Sequence, residues 1–221
     1  MPLARTEVLA GTTQELADFE DLIRSLDPDA WATPSRCAGW TVGDVCRHVT
    51  GSTSAIATGR FDDLVGPDAT ARQVATRQTM TPAQLADELH QSAKIAADLT
   101  TAIDDAAWVG PPPLDIPGTM GDAVEAVWYD TYLHGEDVRA ALRQPPRKGP
   151  GLRAAVSHVA FLLGDRDWGP ATLKLEGIEE VVVGRGGGRT VTGDPLAFVL
   201  AATGRLDPAP LGLDATVNIY A

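Results

Sequence analysis

Apolar residues recur every three or four positions in four segments within about the first 145 residues, which predicts four amphipathic helices. The segments run from about residue 6 to 26, 41 to 59, 82 to 103 and 119 to 142. In the first segment the apolar positions are Leu9, Leu16, Phe19, Ile23 and Leu26. Proline-rich breaks separate the segments, so the pattern predicts an antiparallel four-helix bundle.

Two of these helices begin at recognisable capping signals. Thr41 and Asp44 have the spacing of a capping box, with aspartate in place of the usual glutamate or glutamine. Thr81, Pro82 and Gln84 form a second box, with proline at the first helical position, where it is favoured. The second and third helices are therefore expected to start directly after Thr41 and Thr81.

The pattern changes after a linker rich in proline and glycine at residues 144–151. A helix is expected over residues 152–163, strands over Ala171–Leu175, 180–183 and 215–220, and a helix from Asp194 to Gly204. The glycine-rich run at 184–189 lies between strand-like segments, so it is expected to be a hairpin turn and not a phosphate loop. The predicted fold class is α+β, with a bundle domain over 1–145 and a small domain over 151–221.

Composition restricts the class of partner and the compartment. The 221 residues carry a formal net charge of -12, which disfavours binding to nucleic acid or to an anionic membrane surface. No apolar stretch of membrane-spanning length and no signal peptide is visible, so a cytoplasmic protein is expected. The two cysteines, Cys37 and Cys46, are expected to be reduced and structural.

Three polar residues are the best candidates for a metal site. Asp130 and His134 lie four positions apart, and therefore on one face of the fourth helix, together with apolar Val127 and Ala141. A carboxylate and an imidazole on an inward face are costly unless they bind something, and helical bundles build metal sites in this way. His48, near the apolar stripe of the second helix, is the expected third ligand. Two histidines and one carboxylate leave a coordination position open, as in catalytic zinc sites.

Spacing alone leaves a second interpretation open. A histidine near an apolar stripe is often a hydrogen-bonded core residue, and an aspartate four positions before a histidine is a common pairing on helices. Asp137, three residues after His134, is expected to reach the same region as the candidate site.

Two motifs carry a resemblance to a known family. The stretch from Trp31 to His48, WATPSRCAGWTVGDVCRH, resembles the N-terminal signature of the mycothiol-dependent maleylpyruvate isomerases, which belong to the DinB-like metal-binding bundles. The stretch from Asp130 to Asp137, DTYLHGED, resembles their second signature, although the family more usually has glutamate at the position of Asp130. The tail around Gly193-Asp194-Pro195 and Thr203-Gly204-Arg205 looks like their small domain, which is similar to sterol-carrier proteins.

The resemblance implies the chemistry of the site. His48, Asp130 and His134 would bind a divalent metal such as zinc, and Asp137 would be a neighbouring carboxylate with a catalytic role. Mycothiol would be the thiol cofactor. Its thiolate could add to an electrophilic double bond and leave again, giving cis–trans isomerisation, or stay attached, giving transfer. The expected partners are a small electrophilic substrate and the thiol, and the expected assembly is a monomer or homodimer.

Arg205 is a further candidate for catalysis and cofactor binding. The predicted metal site contains no cationic side chain, so the small domain could supply one to hold an anionic ligand through its guanidinium. Arg205 also follows the end of a predicted helix, where a cation is favoured for structural reasons alone.

Two alternative functions remain open at this stage. The chain could be a non-catalytic metal- or ligand-binding protein, or a hydrolase that activates water at the open metal position. A requirement for added thiol in turnover would separate the proposed enzyme from both.

Overall fold

The computed structural model describes residues 3–66 and 68–221. The chain divides into two compact units, one formed by Arg5–Arg147 and the other mainly by Lys148–Ala221. No helix within these described ranges is long and apolar enough to cross a membrane.

Four long helices make up most of the first unit. Helix α1 (Arg5–Arg24) packs on α5 (Pro82–Ala102) and α7 (Met120–Ala141), and α3 (Val42–Ala57) packs on the same two helices, so the four surround a shared apolar core. The largest buried side chains in this unit include Trp128, Tyr132 and Ile23. The helices of the first unit, in chain order, are α1 (Arg5–Arg24), α2 (Pro28–Ala32), α3 (Val42–Ala57), α4 (Ala69–Ala75), α5 (Pro82–Ala102), α6 (Asp105–Trp108) and α7 (Met120–Ala141).

Reciprocal capping boxes fix the starts of three of the long helices. The box at Thr41 and Asp44 and the box at Thr81 and Gln84 form as the sequence predicts. A third box, between Thr119 and Asp122, starts α7. Because the cap sets where each helix begins, it also sets which residues of α3 and α7 face the core.

Short helices were missed by the periodicity. Helices α2, α4 and α6 have seven residues or fewer, too few to show a repeating apolar stripe. Helix α4 lies against α3 at Gly51, where a Cβ atom would come within 2.6 Å of the Cβ of Gln73. The absence of a side chain at Gly51 therefore lets the two helices approach closely.

The second unit combines two helices with a small sheet. Its elements are α8 (Pro150–Asp165), β1 (Ala171–Leu175), β2 (Val181–Val183), β3 (Arg189–Gly193) and α9 (Pro195–Ala202). The strand order is β2-β1-β3, with β1 antiparallel to β2 and parallel to β3. The α+β fold class predicted from the sequence is confirmed by this arrangement.

Two predictions for the second unit are wrong. The glycine-rich run at 184–189 does not close a hairpin, because β2 and β3 pair with opposite edges of β1 and the run connects those edges. The predicted strand at 215–220 is instead a 3₁₀ turn, Ala215–Val217, capped by Asp214. The backbone N–H of Ile219 donates to Ala202 O at the end of α9 (2.8 Å), so this alternating segment docks on a helix and joins no sheet.

Candidate metal centre

A tight turn prepares the start of α3. The backbone N–H of Trp40 donates to Cys37 O (3.0 Å), and Gly39 between them has a φ of +80°, which favours glycine. The N–H of Ser35 donates back to Trp40 O (2.8 Å). These bonds place Cys37 and Trp40 immediately before the helix that carries His48.

The three predicted metal ligands lie together. Asp130 Oδ2 is 3.5 Å from His48 Nε2, and Asp130 Oδ1 is 3.5 Å from His134 Nε2. The two imidazole rings meet edge to face, with centroids 4.9 Å apart. One ligand atom from each residue lies within 4.8 Å of the other two. Side chains from α3 and α7 thus point at one small volume.

Both histidines are held through the nitrogen that faces away from this volume. His134 Nδ1 is 2.9 Å from Asp137 Oδ2, and His48 Nδ1 is 2.7 Å from Gln73 Oε1. An imidazole that donates its Nδ1 proton to an oxygen keeps the Nε2 lone pair for a metal. Both Nε2 atoms are therefore oriented toward Asp130 as potential ligands.

Asp137 lies behind His134 and is fully buried. Besides His134, its carboxylate accepts hydrogen bonds from Arg36 Nε (2.6 Å) and from Cys37 Sγ (3.1 Å). The expectation that no cationic side chain lies at the site is therefore wrong, because Arg36 pairs with Asp137, and Asp137 is hydrogen-bonded to the candidate ligand His134. Cys46 is buried in the core as a structural thiol should be, but Cys37 is part of the site.

Trp40 forms one side of the centre. Its ring centroid lies 5.4 Å from that of His48 and 6.5 Å from that of His134, nearly parallel to the latter at 26°. An apolar ring beside two ligands lowers the local polarity and strengthens the electrostatic interactions of the centre.

The donor set of His48, Asp130 and His134 fits zinc. Two ligands about 2.0–2.1 Å from a tetrahedral metal lie about 3.3 Å apart, close to the 3.5 Å separations found here. Cys37, His134 and Asp137 form a second group of ligand types within metal-binding distance. That group is less suitable, because Arg36 already neutralises Asp137 and would repel a cation.

Arg205 belongs to the second unit and lies three residues after Ala202, the last residue of α9. Its backbone N–H donates to Leu200 O (2.8 Å), and its Nη1 donates to Thr203 O (3.4 Å) at the helix end. These bonds agree with the structural role of a cation at a helix C-terminus. A role for Arg205 in catalysis or cofactor binding stays a prediction.

Four residues that contribute to the centre were not predicted from the sequence: Arg36, Cys37, Trp40 and Gln73. The first three could have been found from the Cys-Ala-Gly-Trp turn, since a tight turn directly before a helix must lie near the first turns of that helix. No signal in the sequence marks Gln73, because it lies on a short helix without periodicity.

Comparisons with known proteins agree with this fold. The family model described as "Mycothiol maleylpyruvate isomerase N-terminal domain" matches residues 12–139, which include all three candidate ligands. No curated protein matches the chain.

Two solved structures have a similar fold, each covering 92% of this chain and 90% of that chain. They are a mycothiol-dependent maleylpyruvate isomerase (TM-score 0.66, 17% identity) and a mutant of such an isomerase with alanine in place of a histidine (TM-score 0.67, 15% identity). The family match spans more than half of the sequence, and the chain belongs to the mycothiol maleylpyruvate isomerase N-terminal domain family.

Proposed function

We propose that this protein is a metal- and thiol-dependent enzyme that binds zinc through His48, Asp130 and His134. Its cofactor is mycothiol, and its reaction is the cis–trans isomerisation of a maleylpyruvate-type substrate. The observation that carries the proposal is the convergence of two Nε2 atoms and one carboxylate, with both Nδ1 atoms already bonded to oxygen. Family membership supports the thiol, and the names of the two similar structures support the isomerisation.

Each residue of the centre has a defined task in this proposal. A bound zinc with one open position supplies a place where a thiol sulfur loses its proton and becomes a nucleophile at neutral pH. His48 and His134 present neutral nitrogen donors, and Asp130 contributes the negative charge that offsets part of the metal charge. Asp137 holds the proton of His134 on Nδ1, and Trp40 keeps bulk water from one side.

Isomerisation and thiol transfer begin with the same attack by the thiol on the substrate. They differ in whether the thiol leaves again, and a transferase is therefore the nearest alternative. We place the reaction in the cytoplasm, where low-molecular-weight thiols stay reduced.

Metal analysis tests the first half of the proposal. Purified protein supplied with zinc should hold about one metal ion per chain, as expected for a three-ligand site. His134→Ala should lose the metal and keep its circular dichroism spectrum. His90→Ala is the matched control, since His90 is exposed and pairs with Glu20 away from the centre. Wild-type protein that stays metal-free after zinc is supplied would refute the metal centre.

Turnover assays test the second half. The metal-loaded protein should isomerise maleylpyruvate only when mycothiol is added, and without consuming the thiol. Accumulation of a thiol–substrate conjugate would show a transferase instead. Hydrolytic turnover without any thiol, or metal binding without turnover of either kind, would overturn the proposal in favour of a hydrolase or a binding protein.

A further inference from the structure

Gln73 connects a short helix to the candidate metal centre. It lies on α4, is 4% exposed, and its Oε1 is 2.7 Å from His48 Nδ1. Its amide nitrogen donates to the backbone carbonyl of Asp63 (2.6 Å). A buried side chain with both ends bonded in this way has little freedom to rotate.

The bond to Asp63 decides which end of the amide faces the histidine. A carbonyl oxygen only accepts hydrogen bonds, so the amide NH₂ must point toward Asp63 and the amide oxygen toward His48. The amide oxygen also only accepts, and His48 must therefore carry a proton on Nδ1 to bond with it. In the neutral imidazole, the Nε2 lone pair of His48 is then directed toward Asp130 before any metal arrives.

The two histidines of the centre are held by acceptors of different charge. Asp137 behind His134 is a carboxylate paired with Arg36, whereas Gln73 behind His48 is a neutral amide. An imidazole whose Nδ1 proton is bonded to a neutral amide is a weaker donor to a metal than one whose Nδ1 proton is bonded to a carboxylate. It also avoids adding another negative charge to a region that already contains Asp130 and Asp137.

We propose that Gln73 is a positioning residue of the metal centre, which fixes His48 in the Nδ1–H tautomer and thereby sets the metal affinity. This inference rests on the proposed metal site. It concerns a residue outside the three ligands, on a helix that the sequence pattern does not reveal.

Two substitutions separate the effect on His48 from the effect on the 3₁₀ turn Phe61–Asp63. Gln73→Met and Gln73→Glu both remove the amide hydrogens that bond to Asp63 O, so both lose the same hydrogen bond to that turn. Only Gln73→Glu keeps an oxygen that can accept the Nδ1 proton of His48. A difference between the two variants therefore reports the acceptor together with the charge that the glutamate adds, and their melting temperatures show whether both are folded.

The first measurement needs no metal. Nitrogen-15 NMR of the metal-free protein distinguishes the Nδ1–H and Nε2–H tautomers of a neutral histidine. Wild type and Gln73→Glu should show His48 as Nδ1–H, and Gln73→Met should show a substantial Nε2–H population. The same Nδ1–H tautomer in all three proteins would overturn the proposal, whether or not the wild type binds zinc.

The second measurement is zinc affinity by competition with a chelator. Gln73→Met should bind zinc about 10–100-fold more weakly than the wild type, as is typical when the group behind a metal-binding histidine is removed. Gln73→Glu should recover most of that loss. Equal affinities in the methionine and glutamate variants would overturn the proposal even if wild type binds zinc. A wild type without zinc affinity would instead refute the metal centre and leave the tautomer result to decide on Gln73.

Discussion

Asp137→Asn is the most informative single change near the metal centre, because it keeps the shape of the side chain and removes its charge. The carboxylate of Asp137 accepts hydrogen bonds from three groups: His134 Nδ1, Arg36 Nε and the Cys37 thiol. An amide offers one accepting oxygen, and its nitrogen can only donate. The substitution therefore cannot satisfy all three donors, and an amide N–H facing His134 would force the imidazole proton onto Nε2.

The size of the effect on stability follows from burial. Asp137 is fully buried, whereas the Arg36 side chain is 25% exposed and keeps access to water. Removing one partner of a fully buried ion pair costs about 3–5 kcal/mol. Because Arg36, the partner left behind, is partly exposed to water, its unpaired charge costs less, and we expect a loss of about 2 kcal/mol. Arg36 Nη2 already has no hydrogen-bond partner among the described residues, so the loss of the bond at Nε is not compensated there.

Metal affinity is the second quantity that this substitution changes. Loss of the group that holds His134 should weaken zinc binding by about 10–100-fold. The assays are chemical denaturation of the metal-free protein and chelator competition for zinc, with Asp98→Asn on the exposed side of α5 as the control. A variant that loses about 2 kcal/mol but keeps wild-type zinc affinity would show that Asp137 only stabilises the fold, contrary to our reasoning.

Three further predictions concern other residues. Asp130→Glu should keep the metal, because it restores the residue more usual in the family, and Asp130→Asn should weaken metal binding, because a charged ligand is lost. Equal zinc affinity in the wild type and both variants would show that residue 130 is not a ligand. Arg205→Lys should impair thiol or substrate binding, measured by titration, while metal content and melting temperature stay nearly constant; a loss of stability with unchanged ligand affinity would make Arg205 a helix cap only. Burial raises the pKa of the Glu136 carboxyl above its ordinary 4.5, although a hydrogen bond from the Arg147 backbone and the nearby arginines oppose the shift. The folded state therefore holds the carboxyl proton of Glu136 more tightly than the unfolded chain does. The free energy of unfolding contributed by Glu136 should therefore fall as pH rises above about 4.5, and denaturation of Glu136→Gln across that range should show a shallower decline than the wild type.

The sequence was sufficient for the long helices and for naming three candidate metal ligands, whose role as ligands stays a prediction. Capping boxes at Thr41 and Thr81, together with the apolar stripes, placed α3 and α5 correctly, because a cap and a long periodic face are both local signals. The ligands could be proposed because His48, Asp130 and His134 sit on two of those long helices. Their convergence, however, depends on how α3 and α7 pack, which spacing within one helix does not determine.

Contacts between distant parts of the chain could not be predicted. The pairing of β1 with β3 in parallel depends on strand order, and nothing in the glycine-rich run distinguishes a hairpin from a connection across the sheet. The Ile219 segment alternates like a strand, but its bonding partner is the end of α9. Gln73 was likewise invisible, because its role depends on where α4 docks and not on its own neighbours in sequence.

The docking of α4 has a consequence for how long a metal would remain bound. A helix of seven residues is too short to be stable alone, so α4 holds its shape only while it lies against α3 near Gly51. Short docked elements open locally at a lower free energy than the whole domain. Each opening withdraws Gln73 from His48 and removes the acceptor of its Nδ1 proton. The residence time of the metal should therefore follow the opening rate of α4, and amide hydrogen exchange in α4 should slow when zinc is bound.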